Sequence, residues 1–264
     1  MFKFKLGFIG FGNMAQAITN GIILKGLLLP SEMMCFDVDK DKLNYAKKLS
    51  INAAATNQEV FESCENIILA IKPQQAFEVL DNVKSFKNIL ISIMAGVKKD
   101  KIKKALPDCQ VVRCMPNSPA LVGCGMTAID CSGIPLNKKE FVLSVFSSIG
   151  ETQEIDENLM DAVTAVSGSG PAYVYIFLDA LINAGVKNGL DYNVSKKLAL
   201  KTLIGSATVV EKTDLSIDDL TNSVCSKGGT TIEAINVFNE NEFQKIIAKA
   251  VDACYKRSKE LSKL

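Results

Sequence analysis

The chain of 264 residues contains no histidine, and this absence removes whole classes of chemistry. A Ser-His-Asp triad, a histidine general base and a histidine-ligated zinc site are all excluded. A charge imbalance is missing too, because 30 basic residues stand against 29 acidic ones. No large field is available to draw nucleic acid or an anionic membrane, so neither is expected as a partner. The cysteines (Cys35, Cys64, Cys109, Cys114, Cys124, Cys131, Cys225 and Cys254) are scattered, and no two form a CxxC pair. They read as reduced, mostly buried thiols rather than a disulfide framework, and no metal site is expected. Internal repeats, low-complexity tracts and linker-like stretches are absent. No targeting segment is recognisable, and a cytoplasmic location is expected.

What is present has ordinary globular composition, 48% hydrophobic and 22% charged, enough to bury a large core in one or two domains. Through residue 155 short apolar runs alternate with helical spacing. The runs Leu6–Ile9, Met33–Phe36, Asn66–Ile71, Ile89–Ile93, Val111–Met115, Met126–Ile129 and Thr152–Ile155 predict strands, and Ala15–Lys25, Lys40–Leu49 and Gln74–Val83 predict helices between them. Such alternation implies a doubly wound, mainly parallel α/β sheet covered on both faces. From residue 156 onward only helical patterns follow: Leu159–Val166, Pro171–Lys187, Val194–Lys212, Ile217–Val224, Thr230–Phe238 and Phe243–Leu261. The expected division is therefore a nucleotide-binding domain over 1–155 and an all-α domain over 156–264. Pro171–Val186 is apolar almost all round, interrupted by Asp179 and Asn183, and reads as too short for a membrane span. A soluble helix with no polar face must be covered on every side, which predicts a dimer interface.

The run Ile9-Gly10-Phe11-Gly12-Asn13-Met14-Ala15 carries GxGxxA between a predicted strand and a predicted helix. Gly10 permits a tight turn, Gly12 lets the backbone approach a pyrophosphate, and Ala15 lets the helix pack on the strand. The helix start then offers unpaired N–H groups and the positive end of its dipole to phosphate. A merely tight strand–helix turn is the plainer reading of the same glycines. Asp37, after the second strand, stands where a ribose ligand is expected. In that role it would accept from the adenosine 2′-hydroxyl and repel a 2′-phosphate, a lean towards NADH over NADPH. It could equally open the helix that follows it. No arginine adjoins it, and Lys40 is the nearest cation in sequence.

Three further stretches carry a resemblance. Met115-Pro116-Asn117-Ser118-Pro119, Ala165-Val166-Ser167-Gly168-Ser169-Gly170-Pro171-Ala172-Tyr173 and Gly228-Gly229-Thr230-Thr231-Ile232, with Ala70-Ile71-Lys72-Pro73, resemble signature segments of pyrroline-5-carboxylate reductases along the whole chain. The resemblance implies a Rossmann-type domain followed by a helical domain that interleaves with its twin in a homodimer. It implies reduction of a cyclic imine carboxylate, L-1-pyrroline-5-carboxylate, to L-proline with NADPH or NADH. It places nicotinamide near Ala70, Ile71, Lys72 and Pro73 and near Met94 and Ala95, and Asn57 near the adenosine ribose. It gives the substrate carboxylate to Ser226, Gly229, Thr230 and Thr231. Two glycines before a helix suit an anion physically, although a helix–helix turn with Thr230 as N-cap explains them as well. Lys227 replaces the family's usual proline, and the histidine–proline pair that normally precedes this loop is replaced around Ser216-Ile217.

With histidine absent, the Thr231 hydroxyl is the candidate for contact with the ring nitrogen, directly or through water. Threonine is a poor acid at neutral pH, so positioning is the expected role. Tyr173 is a second donor, but its apolar helix favours a core role. Lys72 follows a strand and reads as a helix-start or surface charge as readily as a catalytic one. A β-hydroxyacid dehydrogenase shares this architecture but relies on a catalytic lysine in its helical half, which has no evident counterpart here. A non-catalytic nucleotide-binding protein is opposed by the intact carboxylate loop.

Overall fold

The computed structural model describes residues 2–262. Eight strands form one sheet in the order β3-β2-β1-β4-β5-β6-β7-β8. Their spans are β1 (Phe4–Ile9), β2 (Met33–Phe36), β3 (Asn52–Ala53), β4 (Cys64–Leu69), β5 (Ile89–Ser92), β6 (Gln110–Met115), β7 (Gly125–Asp130) and β8 (Gly150–Glu154). Strands β1 to β6 are mutually parallel, β7 runs antiparallel to β6, and β8 is parallel to β7. The order reverses between β1 and β4, which opens a crevice at their carboxyl ends.

Strand alternation builds two cores, one on each face of the sheet. Ile68 joins Leu6, Phe8, Phe11, Ile18 and Phe146 in one, while its neighbours Ile67 and Leu69 join Ile9, Val60, Leu80 and Ile102 in the other. Phe8 and Phe11 meet edge to face at 5.8 Å between centroids. Cys35, Cys64, Cys109, Cys114 and Cys131 are buried in these layers. Burial pushes the thiols of Cys35 and Cys64 up to about 12, far from reactive thiolates. Cys124 is exposed.

Several elements differ from the sequence reading. β4 starts two residues earlier than expected and stops at Leu69, so Ala70 and Ile71 leave the sheet. Lys72 caps the helix Pro73–Leu80, with Pro73 in the first-turn position it favours. The two-residue strand β3 and the helices Asn57–Ser63, Lys99–Ala105 and Leu136–Ser147 were not anticipated. In the first of these helices Thr56 is the cap, its hydroxyl accepting from the Glu59 N–H at 3.2 Å.

A buried polar network ties the far end of the sheet to the chain that follows it. Lys99 Nζ donates to Asp130 Oδ1 at 2.8 Å and to the carbonyl and hydroxyl of Ser132 at 3.0 and 2.8 Å. Asp130 Oδ2 accepts from the Glu157 N–H at 2.6 Å, and Glu157 Oε1 accepts from the Lys99 N–H at 2.7 Å. Arg113, 3% exposed, reaches the same Glu157 oxygen at 3.4 Å.

The chain divides into two compact units, with the change after Pro171 and the last helix rejoining the first unit from Cys254. The helical stretch Glu157–Lys187 is 31 residues long at mean hydropathy 1.3, long and apolar enough to cross a membrane by length and composition alone. The stretch is longer than the expected Pro171–Val186 because a turn of π-helix at Thr164–Gly168 joins that helix to the turns before it. Its N-terminal half is packed in the first unit, where Met160, Asp161, Thr164 and Ala165 are buried and Ser258 Oγ donates to Asp161 at 2.6 Å. The second unit is all helical: most of Gly170–Lys187, then Tyr192–Lys212, Ile217–Ser223, Thr230–Glu240 and most of Phe243–Leu261. Within Gly170–Lys187 only Ile182 is buried, and Ile176 is 71% exposed.

Candidate active site: a dinucleotide cleft and a glycine–threonine helix start

A cleft of about 620 Å³ opens where the strand order reverses. Gly10 and Gly12 form one wall, Phe36, Asp37, Val38 and Lys42 another, and Asn57 and Gln58 lie beside them. Ala70, Ile71 and Lys72 line it from the β4 side. Gln75, Glu78, Val79, Asn82 and Val83 complete it, a spacing that is one face of a helical turn pattern. That face was missed in the sequence, although its i, i+3, i+4, i+7, i+8 period was there to be read.

The glycine loop is built for close approach. Gly10 has φ +87°, and a Cβ there would lie 2.6 Å from the Ala70 carbonyl. Only glycine fits both constraints. At Gly12 a Cβ would meet nothing within 4 Å, so the open space lies directly over the start of the helix Asn13–Leu24. Gly12 is its N-cap and has no side chain to satisfy the first-turn N–H groups. Those donors, around Asn13 and Met14, are left for an anion such as a pyrophosphate. The cleft therefore fits a dinucleotide.

Asp37 is 8% exposed and already engaged. Its Oδ2 accepts from the Phe11 N–H at 2.7 Å and lies 3.5 Å from Lys42 Nζ, and its Oδ1 accepts from the Asp39 N–H at 2.9 Å. Asp39, not Asp37, caps the following helix Lys40–Lys48. The paired cation is Lys42 rather than Lys40, because one helical turn carries position 42 back over the cap.

Phe11 was expected to touch the cofactor, and in the structure its groups are turned to the protein. Its ring is in the core, its N–H is given to Asp37, and its carbonyl accepts from Gln16 Nε2 at 2.8 Å. Phe11 thereby shapes the loop. The Ile9 side chain is likewise buried, and its carbonyl accepts from the Ala70 N–H at 2.8 Å. Met94 points into the core at 2% exposure, and neither it nor Ala95 lines the cleft. Pro73 opens the next helix just outside the lining.

Two signature stretches meet in the first unit through Asn117. Its amide donates to the Ser167 carbonyl and hydroxyl at 3.3 and 3.2 Å, and its Oδ1 accepts from the Met126 N–H at 2.9 Å. A Cβ on Gly168 would press on Met115 at 2.5 Å, so the two stretches also touch through packing.

In the second unit the loop before helix Thr230–Glu240 turns through Gly228 at φ +72°. Gly229 is the N-cap, which corrects the reading of Thr230 as cap. The Gly229 N–H is spent on the Ser226 carbonyl at 3.0 Å, and a Cβ on Gly229 would fall on the Ser226 hydroxyl. Gly229 thus supplies room rather than a donor. The first-turn N–H groups, from Thr230 and Thr231 onward, have no intrahelical acceptor, and the cap supplies no side-chain one. Ser226 and Thr230 are exposed, and Thr231 is half-buried. Upstream, Ser216 caps helix Ile217–Ser223, its hydroxyl accepting from the Asp219 N–H at 3.1 Å, and so takes over the start of that segment.

Fold and cleft together define a dinucleotide-binding protein of the Rossmann type with an added helical unit. Comparison with known families refines this. Residues 157–261 match the family model described as pyrroline-5-carboxylate reductase dimerisation, and residues 5–96 match NADP oxidoreductase coenzyme F420-dependent. A pyrroline-5-carboxylate reductase of Synechocystis is 39% identical over 263 residues, covering 98% of both chains. The Escherichia coli pyrroline-5-carboxylate reductase is 38% identical over 266 residues, again covering 98% of each. A Plasmodium falciparum pyrroline carboxylate reductase solved with NADP bound superposes with TM-score 0.90 at 34% identity, covering 99% of this chain and 100% of that one. The chain belongs to the pyrroline-5-carboxylate reductase family.

Proposed function

We propose that this chain is an NAD(P)H-dependent reductase that converts L-1-pyrroline-5-carboxylate to L-proline, the last step of proline biosynthesis. The observation that carries the reading is family similarity over nearly the whole length, in a chain that also builds a complete dinucleotide cleft. When bound, the nicotinamide supplies the hydride that adds to the imine carbon. The chain's own task is to hold that carbon at reacting distance, about 3–3.5 Å, and to neutralise the substrate's carboxylate.

Gly10, Gly12 and the helix start at Asn13 and Met14 hold the pyrophosphate, and Asp37 and Asn57 border the adenosine ribose. Ala70, Ile71, Lys72 and Pro73, with the backbone near Met94 and Ala95, border the nicotinamide. The N–H groups of Thr230 and Thr231 and the Ser226 hydroxyl, which lies close over Gly229, take the carboxylate. Thr231 Oγ contacts the ring nitrogen, orienting the imine while the nitrogen keeps or gains its proton. The nucleotide-binding role belongs to residues 1–155 and the substrate and dimerisation roles to residues 156–264.

The working form in this reading is a cytoplasmic homodimer, without membrane or nucleic-acid partners. The exposed apolar length of Gly170–Lys187 supports it, since water is a poor environment for such a helix. The deciding assay follows NADH and NADPH oxidation with pyrroline-5-carboxylate beside a panel of 2-oxo and 3-hydroxy acids. Turnover confined to the cyclic imine is expected. Turnover of a 3-hydroxy acid instead would move the chain to the dehydrogenase reading.

A further inference from the structure

The described residues lining the cleft include two cations, Lys42 and Lys72, and two anions, Asp37 and Glu78. At the adenosine end the charges are paired. Lys42 Nζ lies 3.5 Å from Asp37 Oδ2 and 3.9 Å from Asp39 Oδ2, and its side chain remains 38% exposed. Asp37, by contrast, directs both oxygens into the protein, to the N–H groups of Phe11 and Asp39. An aspartate used in this way does two things. It pins the glycine loop to the end of β2, and its charge, which would repel a 2′-phosphate, is offset by an ammonium on the cleft wall. Lys42 meets these carboxylates at ion-pair distances, and its three donors on a long stem leave it able to turn towards a ligand in the cleft.

We propose that Lys42 is the residue that decides between the two nicotinamide dinucleotides. It takes the adenosine 2′-phosphate of NADPH, and Asp37 acts as the clip of the glycine loop rather than as a barrier to that phosphate. This rests on the dinucleotide reading of the cleft and goes beyond it by naming the determinant of specificity and its ligand group.

The test compares wild type, Lys42→Met, Lys42→Arg and Asp37→Ala by fluorescence titration with NADPH and NADH. Parallel titrations with adenosine 2′,5′-bisphosphate and adenosine 5′-monophosphate isolate the 2′-phosphate from the nicotinamide end. For Lys42→Met the dissociation constant for NADPH and for the bisphosphate should rise about tenfold or more, as expected for losing a charge-assisted contact. NADH and the monophosphate should change less than about twofold, and Lys42→Arg should retain NADPH binding. The salt dependence of NADPH binding should become shallower in the methionine variant. Asp37→Ala should weaken both dinucleotides alike. Equal losses for NADPH and NADH in Lys42→Met would make Lys42 a loop support and overturn the proposal, as would no change in either. A gain in NADPH affinity for Asp37→Ala would restore Asp37 as the barrier. Failure of wild type to bind any of the four probes would instead refute the cleft itself.

Discussion

Replacing Lys99 with methionine tests how the sheet is joined to the helical segment that follows it. Lys99 and Asp130 are 7% and 4% exposed, and their 2.8 Å contact is the centre of the buried network. Methionine keeps the length and volume of the stem but removes the charge and three hydrogen bonds. Asp130 would keep the N–H and hydroxyl of Ser132 and the N–H of Glu157, yet lose its ion-pair partner. Breaking a buried pair in this way costs about 3–5 kcal/mol. Burial alone would raise the Asp130 carboxyl, but hydrogen bonds from Lys99 and Ser132 outweigh it and hold the group at about 2, against an ordinary 3.8. A depressed folded-state value means the stabilisation is present above pH 3.8 and is lost as pH falls towards 2, about 2 kcal/mol in all. In Lys99→Met the hydrogen bond and charge of Lys99 are lost while burial still opposes the charged carboxylate, so this stabilisation should shrink. The gap between wild type and variant should be widest at neutral pH and narrow towards pH 3. Urea denaturation at several pH values measures it directly. The double variant Lys99→Met/Asp130→Asn keeps an acceptor for the Glu157 N–H and removes both charges, and should recover most of the loss. A penalty constant from pH 3 to 7, or a double variant no better than the single, would show that packing rather than charge is at stake.

Ile176→Asp should abolish self-association, read by sedimentation, and probing the same sample by circular dichroism tests whether the second unit survives; an active, soluble monomer would refute the dimer reading. Gly10→Ala should weaken both dinucleotides by about 2–4 kcal/mol, since alanine must adopt φ +87° against the Ala70 carbonyl; unchanged titration curves would count against the loop geometry. Gly229→Val should stop turnover while dinucleotide titration stays near wild type, and full activity would place the substrate elsewhere. Thr231→Ala should lower kcat by about 1–3 kcal/mol in barrier terms with the loop intact, and a change confined to KM would show that the hydroxyl acts equally in ground and transition states.

Much of the framework was legible because its signals are local. Alternating apolar runs located every strand except the edge pair Asn52–Ala53, which is too short to show a period. Gly10 and Gly12 were legible because backbone geometry demands them. Two of the three missed helices, Asn57–Ser63 and Lys99–Ala105, are short, and Lys99–Ala105 buries just Ile102 and the paired Lys99; the third, Leu136–Ser147, buries Val142, Val145 and Phe146 late in its length, after a polar start. The antiparallel turn of β7 had no local cue either, since strand direction is settled by the connection through Pro119 and Gly123 rather than by β7's own residues. The hydrogen bonds of Phe11 and Gly229 and the pairing of Lys42 with Asp37 were not legible, for a shared reason. Each has a role set by which hydrogen bond or charge is already satisfied, Phe11 by Asp37, Lys42 by its reach back over the Asp39 cap, and Gly229 by Ser226. Residue type and spacing do not report such prior commitments.

The helix Gly170–Lys187, with Ile182 its only buried residue, has a kinetic consequence. In the proposed homodimer, a unit that covers so little of its own apolar surface would gain its final stability in a bimolecular step, so recovery from denaturant should follow protein concentration rather than a single first-order rate. Dilution then acts as a denaturant in its own right. Freshly made chains at low abundance would linger with that helix uncovered, and the rate of encounter between copies would set how quickly working protein accumulates.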